Sequence, residues 1–303
     1  TDGTPIVETF TFPAKSGFSG THFYLTTPIQ LDDTWEGIGT ETNPFKGVFR
    51  SGKYMPDPLV ETNNGNAVPS DISEQNTITF SNATHGLFNY CKGATVDNIH
   101  IAGTFNVANE IPATTSPKEN YFGTICRYTE NSTISHCTNK ASVVASGKEA
   151  LGGIVGYSLG GRIDSCTNNG NLSGSASLGG IVGILDGAHD DANPPKYYLS
   201  ACFNNGELSD AENVGGIVGE AITSDIFSSR NEGIVGDVTA DNSGGIVGLS
   251  SSSTVSSCHN LGTIQSSSFG NAGSMIGKDE GAPSSEISYC LNEGFVANNG
   301  FFV

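Results

Sequence analysis

Short apolar segments, punctuated by glycine and asparagine, recur along most of this chain. The pentapeptide Gly-Gly-Ile-Val-Gly occurs at 152–156, 179–183, 215–219 and 244–248, and a degenerate copy, Gly-Ser-Met-Ile-Gly, lies at 273–277. Their closing glycines are separated by 27, 36, 29 and 29 residues. A second element follows each copy: Cys166-Thr-Asn168-Asn-Gly170, Cys202-Phe-Asn204-Asn-Gly206, Ser229-Arg-Asn231-Glu-Gly233, Cys258-His-Asn260-Leu-Gly262 and Cys290-Leu-Asn292-Glu-Gly294. Cys137-Thr-Asn139-Lys-Ala141 is an earlier, weaker copy. An apolar residue precedes each (Ile134, Ile163, Leu199, Ile226, Val255, Ile287) and another follows (Val143, Leu172, Leu208, Val235, Ile264, Val296).

Each repeat thus holds three short β-type segments. Glycine every few residues disfavours helix by about 1 kcal/mol each relative to alanine. One short strand cannot bury its apolar side alone, but stacked repeats give each strand a neighbour ~4.8 Å away and a continuous interior. The pattern therefore predicts an all-β chain, a right-handed parallel β-helix forming one domain over 1–303. Residues 1–34 are expected to cap its N-terminal end, because an open solenoid end invites association. Residues 35–76 read as a first coil with an insertion, and 77–303 as repeat coils with insertions near 104–120 and 184–198. Phe295–Val303 reads either as a segment that closes the other end or as a truncation point in a longer protein.

The asparagine column has two readings: tolerance of the left-handed conformation in turns, and stacking of amides into a hydrogen-bonded ladder. The seven cysteines show no Cys-x-x-Cys pair and no zinc spacing. The column Cys137, Cys166, Cys202, Cys258 and Cys290 reads as unpaired small hydrophobes. In-register Cβ vectors run parallel, whereas a bridge needs them to converge to ~3.8 Å. On that reading Cys166→Ser carries a burial penalty of ~1–3 kcal/mol. Cys91 and Cys126 fall elsewhere in the repeat and have no evident mate.

Forty glycines and a charged fraction of 15% fit many turns around a repeated core. The net charge of −18, from 13 basic and 31 acidic residues, disfavours nucleic acid and anionic membranes as partners. No run reaches the ~18 apolar residues of a membrane span. The chain starts at Thr1, which fits a trimmed mature form whose removed segment carried a secretion signal or lipid anchor.

The motifs together resemble the GLUG-repeat proteins. The resemblance runs from Trp35-Glu-Gly-Ile38-Gly39-Thr40 and Pro44-Phe45-Lys-Gly47-Val48-Phe49, through Gly86-Leu87-Phe88-Asn89-Tyr90 with Ala94-Thr-Val96-Asp-Asn-Ile99, to the reiterated pentapeptides and Cys-x-Asn-x-Gly elements. It departs between Arg50 and Asn76. It implies a secreted or cell-surface β-helix protein of Bacteroides-type bacteria, of a kind often described as adhesins and in part labelled immunoglobulin A protease.

No His-Glu-x-x-His motif occurs. Asp32-Asp33 and Asp190-Asp191 are adjacent carboxylates, but neighbours on a strand face opposite ways and make no acid/base couple. Basic residues are too sparse for a lyase groove along acidic sugars. No catalytic, metal or cofactor site is therefore expected. The insertion around Asp190, Asp191, Tyr197 and Tyr198 is the candidate recognition loop, because a rigid scaffold presents loops and tyrosine offers stacking area with a polar tip. The leading expectation is a non-catalytic, adhesin-like binding protein for a glycan or a host or bacterial surface protein. The rivals are a carbohydrate-active or protease-related fragment and a structural spacer of a larger surface protein.

Overall fold

The structure is a computed structural model and describes residues 18–52, 76–107, 117–187 and 198–298. Its strands pair in parallel and in register from coil to coil, and no α-helix occurs among the described residues. The chain forms a parallel β-helix. Among the described residues no helix is long and apolar enough to cross a membrane.

One coil illustrates the rest. Ala150–Gly152 runs into a sharp corner, Val155–Leu159 leads away from it, and Arg162–Asp164, Thr167–Asn168 and Leu172–Gly179 complete the circuit. Stacking the second of these segments gives a seven-stranded sheet, and stacking the third gives a nine-stranded sheet. The remaining segments join a branched sixteen-stranded sheet. The apolar column read from sequence is one register line, Ile134–Ile163–Leu199–Ile226–Val255–Ile287, and its first five members are buried. Val96, Phe49 and Phe23 extend that line towards the N-terminus.

Several expected boundaries shift. His22–Leu25 pairs with Val48–Ser51, and Ile29–Leu31 pairs with Ile78–Phe80. The described part of the expected cap is thus itself a coil. Phe18, Phe23, Phe45, Phe49 and Phe88 pack there edge to face or tilted, at centroid distances of 4.8–6.2 Å. Thr104–Val107 pairs with Ser142–Ala145, so the excursion expected near 104–120 begins later, and a single 3-10 turn, Pro117–Asn120, re-enters the coil. Residues 1–17, most of the 50–76 insertion and the last five residues lie outside the described residues. At the C-terminal coil Ile287, Leu291 and Phe295 are more than half exposed, so its described part does not close the core.

The asparagine column forms a continuous ladder. Asn139 Nδ2 donates to Asn168 Oδ1 at 2.7 Å, and the same bond runs Asn168–Asn204–Asn231–Asn260–Asn292 at 2.8 Å each. Each Nδ2 also donates to the carbonyl two residues on, as Asn204 does to Gly206 O at 3.1 Å. Asn139, Asn168 and Asn204 each accept in return from that residue's N–H. An Asn side chain has two donor protons and two acceptor lone pairs, and Asn168 and Asn204 use all of them. The column is not the left-handed one. That conformation falls on the residue before the cysteine column: His136, Ser165, Ala201, Ser228, Ser257 and Tyr289, with φ of 51–55°. The two readings of asparagine therefore separate, and only the ladder applies to this column.

The ladder explains the glycines around it. A Cβ on Gly206 would stand 2.8 Å from Asn168 Nδ2 and 2.0 Å from Gly170 O, and a Cβ on Gly180 would stand 2.5 Å from Asn204 Cγ. Ala141 replaces glycine in the one copy whose upstream neighbour has no amide, since Asn139 pairs with Ile101. Thr124 and Ser274 replace the second corner glycine in the coils that flank the regular run.

All seven cysteines are free thiols. Cys166 Sγ donates to Asp164 O at 3.3 Å, and Ser229 Oγ makes the equivalent bond to Phe227 O at 3.0 Å. A hydroxyl at this position therefore finds a partner, which reduces the expected burial penalty. Cys91 and Cys126 are not bridged to any partner either; burial first, and then the neighbouring Cys126 thiol, push the Cys91 thiol well up.

Two stability outcomes follow. Asn204→Ala strands a donor of Asn168 and an acceptor of Asn231, and each buried orphan costs ~1–3 kcal/mol. Urea unfolding should show a loss above ~3 kcal/mol; a loss under ~1 kcal/mol would mean that the ladder contributes little. Cys166→Ser should cost ~1 kcal/mol or less by the same measurement, because its hydroxyl inherits the bond to Asp164 O.

Candidate functional site

The corner after the first two glycines of the pentapeptide is re-entrant. A Cβ on Gly219 would stand 2.6 Å from Leu178 N, one on Gly248 2.7 Å from Val214 N, and one on Gly277 2.8 Å from Ser243 N. The backbones of the two sheets are thus in direct contact across the corner, and any side chain there would push them apart. Two columns of outward side chains then face each other just beyond it. One column consists of the residue after each closing glycine: Tyr157, Ile184, Glu220, Leu249 and Lys278, preceded by Tyr128 and Tyr90. The other lies two residues before the first glycine: Tyr121, Ala150, Ser177, Asn213, Asn242 and Asn271. Outward side chains of two sheets touch only if the corner folds inwards. Ser177 Oγ donates to Glu220 Oε2 at 3.2 Å, and the Tyr121 and Tyr157 rings lie 4.8 Å apart.

The N-terminal half of this furrow is filled. Tyr90, Tyr128 and Tyr157 stack at 4.8 and 5.2 Å, and with Tyr121, Ala150 and Ile184 they make a second apolar cluster outside the main core. Lys118 Nζ, from the 3-10 turn, lies 5.0 and 4.6 Å from the Tyr90 and Tyr128 ring centroids. It also pairs with Glu41 at 2.9 Å and donates to Tyr90 Oη at 3.1 Å. Burial works against the Lys118 charge, but the bonds to Glu41 and Tyr90 outweigh it and raise the group. Tyr157 donates to Asp186 at 2.7 Å, and Tyr90 to Glu130 at 3.3 Å. Burial pushes the Tyr121 phenol up to about 12 and raises Tyr90, Tyr128 and Tyr157 as well. All four stay protonated donors at neutral pH.

The C-terminal half is open and polar. Asn242 Nδ2 donates to Asn213 Oδ1, and Asn271 Nδ2 to Asn242 Oδ1, both at 2.7 Å, making a second and shorter amide ladder. Glu220 and Leu249 are partly exposed opposite it, and Lys278 is exposed. Burial raises the Glu220 carboxyl, the Ser177 hydroxyl pulls it back, and Glu149, Glu280 and Asp186 add to the rise. Among the described residues, no group of three or more potential metal ligands converges.

The expected recognition loop maps differently. Asp190, Asp191 and Tyr197 lie outside the described residues. Tyr198 is not a loop-tip residue: it opens the strand Tyr198–Ser200, in register with Arg162 and Asp225. Its ring sits 5.1 Å from Phe227 and 5.1 Å from the Arg162 guanidinium, so it is held flat on the nine-stranded sheet. Ile184–Asp186 is likewise strand, which shortens the 184–198 insertion at both ends. Asp32, of the adjacent pair Asp32-Asp33, caps a turn by accepting from Thr34 N and Oγ1. Sequence reasoning missed the furrow, although its columns stand at fixed offsets from the pentapeptide.

The fold and this corner define a parallel β-helix with a lateral furrow. The chain carries the GLUG motif: the model of that motif matches residues 147–173, about the length of one coil. A crystal structure from Bacteroides ovatus, provisionally named an immunoglobulin A1 protease, matches with a TM-score of 0.54 and 18% identity, over 94% of this chain and 73% of its own. At that identity the likeness is one of fold. No curated protein matches the chain.

A carboxyl whose folded pKa is raised favours the folded state most below its ordinary value of ~4.3, and that contribution is lost as pH rises through the raised value. Glu220→Gln should therefore melt higher than the parent protein at pH 7 and together with it near pH 3. A lower melting temperature at pH 7 would mean that the charged carboxylate is stabilising.

Proposed function

We propose that this protein is a non-catalytic, adhesin-like binding protein that works outside the cell or on its surface. Its ligand is a glycan laid along the open half of the furrow. The observation that carries this reading is the pairing of a laddered amide column, Asn213–Asn242–Asn271, with Glu220, Leu249 and Lys278 across a rigid re-entrant corner. Side-chain amides and carboxylates bond sugar hydroxyls, and leucine offers an apolar face to the ring carbons. The coil repeat of ~4.8 Å sets these groups at regular steps along an extended chain. Backbone contact at the corner keeps the furrow from collapsing or opening, so little ordering cost falls on binding.

The protease reading enters through the provisional name of the Bacteroides ovatus protein, and a binding assay separates the two. Glycan-array screening of the intact chain should yield at least one glycan whose binding falls about tenfold with Asn242→Ala, which removes the centre of the amide column. Cleavage of immunoglobulin A1 by the purified chain, or binding indifferent to Asn242→Ala and Glu220→Gln, would overturn the proposal.

A further inference from the structure

The furrow already holds one ammonium of its own. Lys118 Nζ lies 5.0 and 4.6 Å from the centroids of two stacked rings, Tyr90 and Tyr128, and pairs with Glu41 at 2.9 Å. Aromatic faces with a carboxylate beside them make a complete ammonium site. Three coils beyond Tyr128, the same column presents a carboxylate without a cation. Glu220 stands in register between Ile184 and Leu249, so apolar side chains flank it on both sides. Across the corner its Oε2 accepts from Ser177 Oγ at 3.2 Å, and no basic side chain among the described residues forms an ion pair with it. The next basic residue along the column, Lys278, is two coils away and held by Glu280 at 2.5 Å. The facing column brings no positive charge, since it offers Ala150, Ser177 and Asn213. The residues just before Ala150 and Asn213, Glu149 and Glu212, line a neighbouring cleft of about 740 Å³ with Asp210 and one basic residue, Lys148.

We propose that Glu220 binds the ammonium of an amino sugar, a glycan residue with a free amine, at the entrance to the open half of the furrow. A partly buried carboxylate between two apolar side chains loses solvation that one hydroxyl restores poorly, and an ammonium restores it with a charge-assisted hydrogen bond. Burial first, and then Glu149, Glu280 and Asp186, raise the Glu220 carboxyl, so the charged groups around it all favour a cation beside it. The following steps of the furrow fit the rest of the sugar. Leu249 faces Asn213, because a Cβ on Gly248 would stand 2.7 Å from Val214 N, and the two set an apolar surface against an amide. An acidic sugar would meet Glu220 with like charge, and an N-acylated amine has no charge to offer it. The sugar rests on the glycan reading above; the ammonium rests on Glu220 and the side chains around it.

The experiment titrates the intact, nitrogen-labelled chain with methyl glucosaminide, its N-acetyl derivative and methyl glucoside, followed by nuclear magnetic resonance shifts. The glucosaminide should bind at least tenfold more tightly than the other two, with shifts at the Asn213 side-chain amide and the Ser177 and Leu249 backbone amides. Salt should weaken the glucosaminide and leave the glucoside unchanged. Glu220→Gln should bring the glucosaminide down to the level of the glucoside, with unchanged far-ultraviolet dichroism showing that the variant is folded. Glucosaminide binding no tighter than the glucoside in the parent chain, shifts confined to another face, or binding indifferent to Glu220→Gln would overturn the site. Nα-acetyl-lysine methylamide binding as tightly as the glucosaminide would overturn the sugar as the carrier of the ammonium. Neutral glycans that still depend on Asn242, with the glucosaminide ignored, would overturn the amine and leave the furrow reading standing; a furrow that binds no glycan at all would overturn both.

Discussion

A chain of amides, each bonded to its own turn and to the amides of the neighbouring coils, governs the cross-section of this protein. Every ladder asparagine except the half-buried Asn292 is buried, and a buried carboxamide without partners is strongly unfavourable. Its Oδ1 and Nδ2 meet their partners only when the coil above and the coil below carry asparagine in the same register. A slip of one residue in any coil would orphan two amides at once, as well as turning apolar side chains outwards. The ladder thus fixes register along the stack in a way that the interchangeable Ile, Leu and Val columns cannot.

The glycines follow from that constraint. Those after the ladder are small because amide nitrogens of the coil before lie against them, and the second corner glycines are small because the ladder of their own coil does. The closing glycines let two sheets touch backbone to backbone, which makes the corner re-entrant and creates the furrow. The furrow runs from a filled, aromatic half near Tyr90, Tyr128 and Tyr157 to an open, amide-lined half near Asn213 and Asn242. Coil stacking and furrow are in this sense products of one repeated pentapeptide.

Much of this was legible in the residues. The period, the parallel stacking and the alignment of the asparagine and cysteine columns follow from spacing, because a solenoid converts offsets in sequence into columns in space; spacing left open whether the asparagines form turns or a ladder. The furrow was not read, although Tyr157, Glu220 and Leu249 each follow a closing glycine, because nothing in Gly-Gly-Ile-Val-Gly says on which side of the backbone its corner bends. The recognition candidates were drawn instead from the most irregular stretch. Tyr198 then proved to be an ordinary strand residue on another face, held by Phe227 and Arg162. Boundaries also shifted where strand residues continued into what looked like loop, at Thr104–Val107 and Ile184–Asp186.

Side-chain amide exchange measured by nuclear magnetic resonance tests the ladder most directly. The Nδ2 protons of Asn168, Asn204 and Asn231 should exchange orders of magnitude more slowly than those of the exposed Asn171, at rates approaching those of the core backbone amides. Exchange of all three at the rate of Asn171 would contradict the account, since amides that meet water freely cannot be what holds the coils in register.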